Sequence, residues 1–405
     1  MTLPAVFRQR RLWFKIHGTL GLLAGVLLAL IGLTGALGVY GGAIDAFLNP
    51  GLSGLNPGTP LPLERHYATL KEHYPDHTGS WTLNLPKSEG EALIAIAEKP
   101  RLTQNLSFRP LMVGLDPATS KIISTREKGW TLRTFLVRLH ASFLAGRWGK
   151  NLVGVLGIAL LFSSFMGLGL WITQRRPLAE RFRLERHKGM LVFLSDLHHL
   201  MGIFLAPVLL GLALTGIALV FPSVPETLLG AKDLSHGDAG KPIQSTGSQA
   251  HGAPIQLDAA ILLARGPFPH AEVRGVTTPE GPNGSIQVHF KQAQESSDRH
   301  PLTAVWIDAY SGQILEVLNP LRMGAGQRLE TLIWPIHTGE WAGGSWRLLW
   351  LITGLSLPVF FATGLLRWLI RTHRLEDRPV VLKAILPWIR DMTSKAYQRL
   401  RGALP

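Results

Sequence analysis

Four apolar runs, at about 16–40, 152–173, 197–221 and 348–370, dominate the 405-residue chain. Each is long enough to cross a hydrocarbon layer of about 30 Å, which takes roughly 20 helical residues. A segment in lipid must satisfy its own backbone polar groups, so outside a closed barrel only an α-helix serves. The chain is therefore expected to be an α-helical polytopic membrane protein with four transmembrane helices. Charged residues make up 17% of it and fall mainly between the runs.

Lysine and arginine set the expected orientation. Arg8, Arg10, Arg11 and Lys15 precede the first run. Arg175, Arg176, Arg181, Arg183, Arg186 and Lys188 fill the loop between the second and third, and Arg371, Arg374, Arg378, Lys383, Arg390, Lys395, Arg399 and Arg401 follow the fourth. These segments are expected in the cytoplasm. The order is then a cytoplasmic N-terminus (1–15), a first span (16–40), a periplasmic module (41–134), an interfacial segment with the second span (135–174) and a basic cytoplasmic loop (175–196). A third span (197–221), a second periplasmic module (222–335), an interfacial segment with the fourth span (336–371) and a basic cytoplasmic tail (372–405) complete it. The net charge of +14 thus reads as topology and contact with anionic lipid. No basic patch interleaved with aromatics points to nucleic acid. The first run is too long for the apolar region of a cleaved signal and is read as an uncleaved span. The chain has no cysteine, which excludes disulfides, iron–sulfur clusters, thiolate zinc sites and covalently attached c-type haem.

The chain also matches itself. At an offset of 181 the first span lies on the third, with His17 on His198, Gly21 on Gly202 and Leu33-Thr34-Gly35 on Leu214-Thr215-Gly216. At 197 the second lies on the fourth, with His140 on His337, Gly157 on Gly354, Gly167 on Gly364 and Trp171 on Trp368. Between them, at 192, VGLDPATSKII (113–123) lies on VWIDAYSGQIL (305–315). Each half is expected to be a span, a small α+β module and a second span, a tandem duplication. The polar, Gly-rich stretch 235–252 is expected to be a loop inserted in the second copy.

Of 15 histidines, His17/His198 and His140/His337 recur as pairs within or beside spans. Imidazoles at membrane depth are costly unless bonded or ligating. The expected topology places His17 and His198 together at the cytoplasmic side and His140 and His337 together at the periplasmic side. Two histidines from two helices at one depth suit the opposite axial positions of a b-type haem. Gly21 and Gly202, one turn beyond His17 and His198, leave room for a flat macrocycle. In SDLHHLMGIF (195–204) the repeat selects His198, because it keeps the spacing of His17 to the glycine and Thr-Gly downstream. His199 points about 100° away and is left as a neighbour, propionate contact or fallback ligand. His140 lies too far before Arg175 for one membrane-length helix. Either the helix projects, or GRWGKN (146–151) breaks it and LRTFLVRLHASFL lies along the interface.

On RLWFKIHGTLGLLAGVLLALIGLTGAL, the modules ending DPATSKII and DAYSGQIL, the basic loop before DLHHLMGI, and IHTGEWAGGSWRLLWLITGL, the chain resembles the PepSY-associated transmembrane proteins, which include inner-membrane ferric-siderophore reductases of Gram-negative bacteria. The resemblance implies four spans, two periplasmic PepSY-like modules and bound haem b, two per chain here. Ser120 departs from it, standing where a turn glycine is usual. No Gly-rich nucleotide loop follows a strand, so the flavin or NAD(P)H reductase domain fused to some relatives is not expected.

The implied activity is oxidoreduction, with electrons passing through the membrane to a ferric siderophore and Fe(II) released. A reductase, reduced flavin or membrane quinol must supply the electrons. The alternatives are a haem-free siderophore- or peptide-binding accessory protein and a general cytochrome b subunit with a protein acceptor. No GxSxG or HExxH supports hydrolysis.

Overall fold

The computed structural model describes residues 10–97, 110–127, 131–185, 187–230, 243–245, 253–341 and 343–374. Arg8, Arg186, His236, His251, most of the 235–252 loop and the basic tail beyond Arg374 lie outside the described residues.

The two halves present one order of elements. The first runs α1 (Arg10–Val39), α2 (Gly41–Leu48), α3 (Leu63–His73), β1 (Trp81–Asn84), β2 (Leu93–Ala97), β3 (Leu111–Leu115), β4 (Ile122–Glu127), α4 (Leu132–Ser142) and α5 (Gly146–Ile172). A short α6 (Leu178–Arg181) occupies the basic loop. The second runs α7 (Met190–Val220), α8 (Ser223–Leu229), α9 (Leu257–Ala264), β5 (Glu272–Thr277), β6 (Ile286–Lys291), β7 (Ala304–Ile307), β8 (Ile314–Leu318), α10 (Ala325–Thr338) and α11 (Gly344–Arg371).

Among the described residues, α1, α5, α7 and α11 are long and apolar enough to cross a membrane. All four start a few residues ahead of their apolar runs, and ahead of the third the added residues, Met190–Asp196, are themselves mainly apolar. Pro207 and Pro358 sit inside α7 and α11. Membrane helices tolerate this where hydroxyls and neighbouring helices satisfy the freed carbonyls.

The long path from His140 to the second span is broken ahead of GRWGKN. Phe143 (φ 47°) and Leu144 (φ 60°) turn the chain left-handed between α4 and α5. Gly339 (φ 74°) and Gly343 (φ 82°) do the same between α10 and α11. Two non-glycine residues in this conformation cost roughly 1–2 kcal/mol each, and Gly146 (φ 56°), the first residue of GRWGKN, adopts it as well.

The chain divides into two compact units. One draws on Met1–Leu33, Ile158–Ala213 and Leu355–Pro405, the other on Thr34–Gly157 and Leu214–Gly354. The second carries the strands. Two modules are expected from the sequence, and in the structure the strands of both halves share one eight-stranded antiparallel sheet of order β4-β3-β2-β1-β5-β6-β7-β8. Each half contributes a four-stranded meander, and the two join edge to edge through Thr82↔Thr277, Leu83↔Val276 and Asn84↔Gly275. Gly275 is required there, since a Cβ would stand 2.5 Å from the Leu83 carbonyl. Trp81, Leu83, Leu93, Val276 and Phe290 pack with Leu70 of α3 and Ala260 of α9 in one core. Half-buried on β6, His289 meets the Thr277 hydroxyl at 2.9 Å, and desolvation pushes its pKa down to about 4.

Helices α3 and α9 cap each other. Asp258 accepts from the backbone N–H of Leu63 and Glu64 at 3.1 and 3.2 Å, and Glu64 accepts from Leu257 N–H at 3.2 Å. Neither helix has a side-chain cap at its own N-cap residue. A lost cap costs about 1 kcal/mol, so Asp258→Ala should speed hydrogen exchange at the Leu63 and Glu64 amides roughly fivefold. Unchanged exchange there would show that the capping bonds carry no weight.

Candidate functional site: two facing imidazole pairs

The first unit holds His17 of α1 opposite His198 of α7. Their ring centroids are 6.1 Å apart and their planes perpendicular. His17 Nδ1 lies 3.1 Å from both the carbonyl and the hydroxyl of Ser163 on α5. The carbonyl can only accept, so Nδ1 carries the proton. His198 Nδ1 lies 2.8 Å from the Thr363 hydroxyl on α11. That hydroxyl donates to the Phe360 carbonyl at 3.0 Å, which leaves its oxygen to accept from Nδ1–H. In both rings Nε2 is then the nitrogen with the available lone pair.

Small residues let the helices approach these rings. A Cβ on Gly167 would stand 3.3 Å from His17 Cε1, and one on Gly364 4.0 Å from His198 Cε1. Gly21 and Gly202 face open space, where a Cβ would meet nothing within 4 Å. That space belongs to a cavity of about 800 Å³, lined by both histidines and both glycines. The volume lies in the range of cofactor sites. His199 lines it too, but the ring facing His17 belongs to His198. Arg10, Lys15, Arg175, Arg176 and Arg371 bring cationic groups to the lining. Three lining residues, Trp171 (Nε1), Gln174 (Nε2) and Arg367 (Nε), each hold a buried N–H that has no partner among the described residues. Unsatisfied donors of this kind suit an anionic or oxygen-rich occupant.

The second unit repeats the motif with different elements. His140 of α4 faces His337 of α10, again with centroids 6.1 Å apart, their planes at 53°. His140 Nδ1 is 3.5 Å from the Thr34 hydroxyl of α1, and His337 Nδ1 is 3.0 Å from the Thr215 hydroxyl of α7. The glycine after each threonine lies under the ring: a Cβ on Gly35 would stand 2.8 Å from His140 Cε1, one on Gly216 3.2 Å from His337 Cε1. Nearby, Arg299 and Arg347 both donate to the Val39 carbonyl at the end of α1. Arg299 also pairs with Glu340 at 3.2 Å.

Each pair thus brings together the two histidines that the repeat groups. The oxygens on Nδ1 are the part that sequence reasoning missed. Thr34 and Thr215 were visible as repeated Thr-Gly steps without an assigned role. Ser163 and Thr363 carry no such signal, because they are not equivalent under the 197-residue offset.

The geometry is that of two rings able to share one metal atom. Two imidazole–metal bonds of about 2.0–2.1 Å, with about 1.1 Å from each nitrogen to its ring centre, sum to roughly 6.3 Å. Among the described residues no group of three or more His, Asp or Glu side chains is placed to hold a metal ion. Each pair therefore offers two donors and leaves the remaining positions to another ligand, as a macrocycle supplies them.

A family model described as the PepSY-associated TM region matches residues 14–371, and the chain belongs to this family. It is also 27% identical over 266 residues to an uncharacterized protein of Pseudomonas aeruginosa, a match covering 61% of this chain and 66% of that protein.

Gly35 and Gly38 lie on the same helix, and a Cβ on Gly38 meets nothing within 4 Å. Gly35→Ala should therefore lower the melting temperature, at a cost of about 1–3 kcal/mol from overpacking. Gly38→Ala should be neutral or stabilising. Equal effects would contradict the packing of Gly35 against His140.

Proposed function

We propose that this PepSY-associated membrane protein is an inner-membrane haem b protein that moves electrons across the membrane to reduce ferric siderophore in the periplasm and release Fe(II). The observation that carries the reading is the recurrence of one arrangement, two imidazoles 6.1 Å apart with each Nδ1 held by an oxygen, once in each of the two compact units. Metal-ligating histidines almost always use their other nitrogen in this way, which fixes the ring and raises its basicity. The shared element order and the palindromic sheet support a tandem duplication as the origin of the recurrence. The distribution of Lys and Arg supports cytoplasmic termini.

In this reading His17 with His198, and His140 with His337, would hold haem iron through their Nε2 atoms. A b-type haem would supply reversible one-electron chemistry there. The chain's own residues orient and make room. Ser163, Thr363, Thr34 and Thr215 hold the imidazoles, and Gly21 and Gly202 leave open space in the first cavity. The unpartnered N–H groups and the arginines of the first cavity suit propionate carboxylates. A reductase, reduced flavin or quinol gives the electron, and the iron of the chelate goes from Fe(III) to Fe(II). Hard oxygen donors hold the Fe(II) product less tightly, so reduction serves as release.

Detergent-purified protein made with adequate haem should show low-spin haem bands that sharpen with dithionite. His17→Ala and His140→Ala should each remove one of two components, and His198→Ala should remove the His17 component while His199→Ala largely keeps it. Protein without haem bands would favour the haem-free accessory reading. Thr363→Val, which removes the oxygen at His198 Nδ1, should weaken haem retention about 10–100-fold. Anaerobic mixing of reduced protein with ferric chelates should reoxidise it. Failure of every chelate would favour a protein acceptor.

A further inference from the structure

Glu330 is 1% exposed, and among the described residues neither of its carboxylate oxygens has a hydrogen-bond partner. It lies on α10 seven residues before His337, hence two turns away and on the same face. Helix α8 packs closely on the preceding turn of α10: a Cβ on Gly326 would overlap the Leu229 carbonyl. Among the described residues, the elements packed most extensively against α10 are α8 and the turn Pro320–Arg322. Glu226 of α8 acts on Glu330 as a like charge, and that repulsion adds to burial in holding its carboxyl above the usual carboxylate range. Arg322 of the turn and Arg328 of α10 are the nearby basic groups along the chain, and among the described residues neither forms an ion pair with it. The 197-residue offset places Arg133 at this position in the first half, likewise two turns before its histidine. The two halves therefore differ in charge at equivalent places beside the second imidazole pair.

An uncompensated carboxylate in such a place is costly unless it can be neutralised. We propose that Glu330 is a proton-binding residue coupled to the His140–His337 site, taking up a proton when iron held there is reduced and releasing it on reoxidation. The balance is one electron from the donor named above to iron, and one proton from solvent to the Glu330 carboxylate. Both leave again when the chelate takes the electron. The inference rests on the proposed haem ligation. At pH values where Glu330 is protonated in both redox states, or in neither, the potential is flat. Between those limits it falls as pH rises, by up to ~59 mV for each tenfold change in proton activity.

The test is a spectroelectrochemical titration across pH of the full-length protein, following the component lost in His337→Ala, with infrared detection of the protonated carboxyl band. The wild type should show one pH-dependent potential. Glu330→Gln should fix that potential at the wild type's low-pH limit and remove the titrating band. Glu226→Gln, at a half-exposed position, should shift the inflection to lower pH, since it removes the like charge. A pH slope that survives Glu330→Gln would overturn the proposal, as would a wild-type potential without any slope. Absence of haem bands would instead sink the ligation reading, while the infrared titration still reports whether Glu330 exchanges a proton.

Discussion

An imidazole set between apolar helices is stable there only if its ring nitrogens are given partners, and much of this chain is arranged around doing that four times. The solution is the same each time: an oxygen from a neighbouring helix on Nδ1 and, in three of the four, a glycine within 3.3 Å of the ring. The fourth, Gly364, stands back at 4.0 Å. A hydrogen bond to Nδ1 decides both the tautomer and the direction in which Nε2 can act. The threonine–glycine step does two jobs with adjacent residues. Its hydroxyl holds the ring, and its missing side chain lets the ring lie against the helix.

The sheet is symmetric in its strand order, as a tandem duplication would make it. Each half makes a four-stranded meander with one edge strand, β1 or β5, that would otherwise present unpaired backbone groups. Joining these edges removes both liabilities at once, and the exchange of caps between Glu64 and Asp258 ties the overlying helices together in the same sense. Symmetry fails where the two copies have separate work or separate histories. Ser120 adopts φ 60° where Gly312 adopts φ 73°, and its hydroxyl meets Thr69 at 2.8 Å. Ser163 and Thr363 reach their histidines from non-equivalent positions. Arg133 and Glu330 put opposite charges at equivalent positions of α4 and α10.

How much of this the sequence discloses depends on how local each feature is. The spans and the histidine pairs are legible because apolar length and a repeat offset are properties of single segments. The choice of His198 over His199 is legible for the same reason, since the spacing to Gly202 and Thr215-Gly216 is a one-dimensional quantity. The merging of two expected modules into one sheet is not, because β1 pairs with β5 across nearly 200 residues of intervening chain. The break after α4 is legible in part: Gly146 of GRWGKN takes a left-handed conformation, but so do Phe143 and Leu144, residue types with no turn preference. Ser163 and Thr363 are invisible for want of a repeat, and Glu330 is an ordinary helical glutamate until its burial is known.

The central claim is that each imidazole pair is a bis-axial site for one porphyrin iron. The most direct measurement is a cryo-EM map of the full-length protein in a lipid nanodisc, produced with adequate haem. The account predicts planar macrocycle density between His17 and His198 and between His140 and His337, each bridged to Nε2 of both rings. Imidazole pairs separated by water, lipid or side chains, with no macrocycle between them, would contradict it.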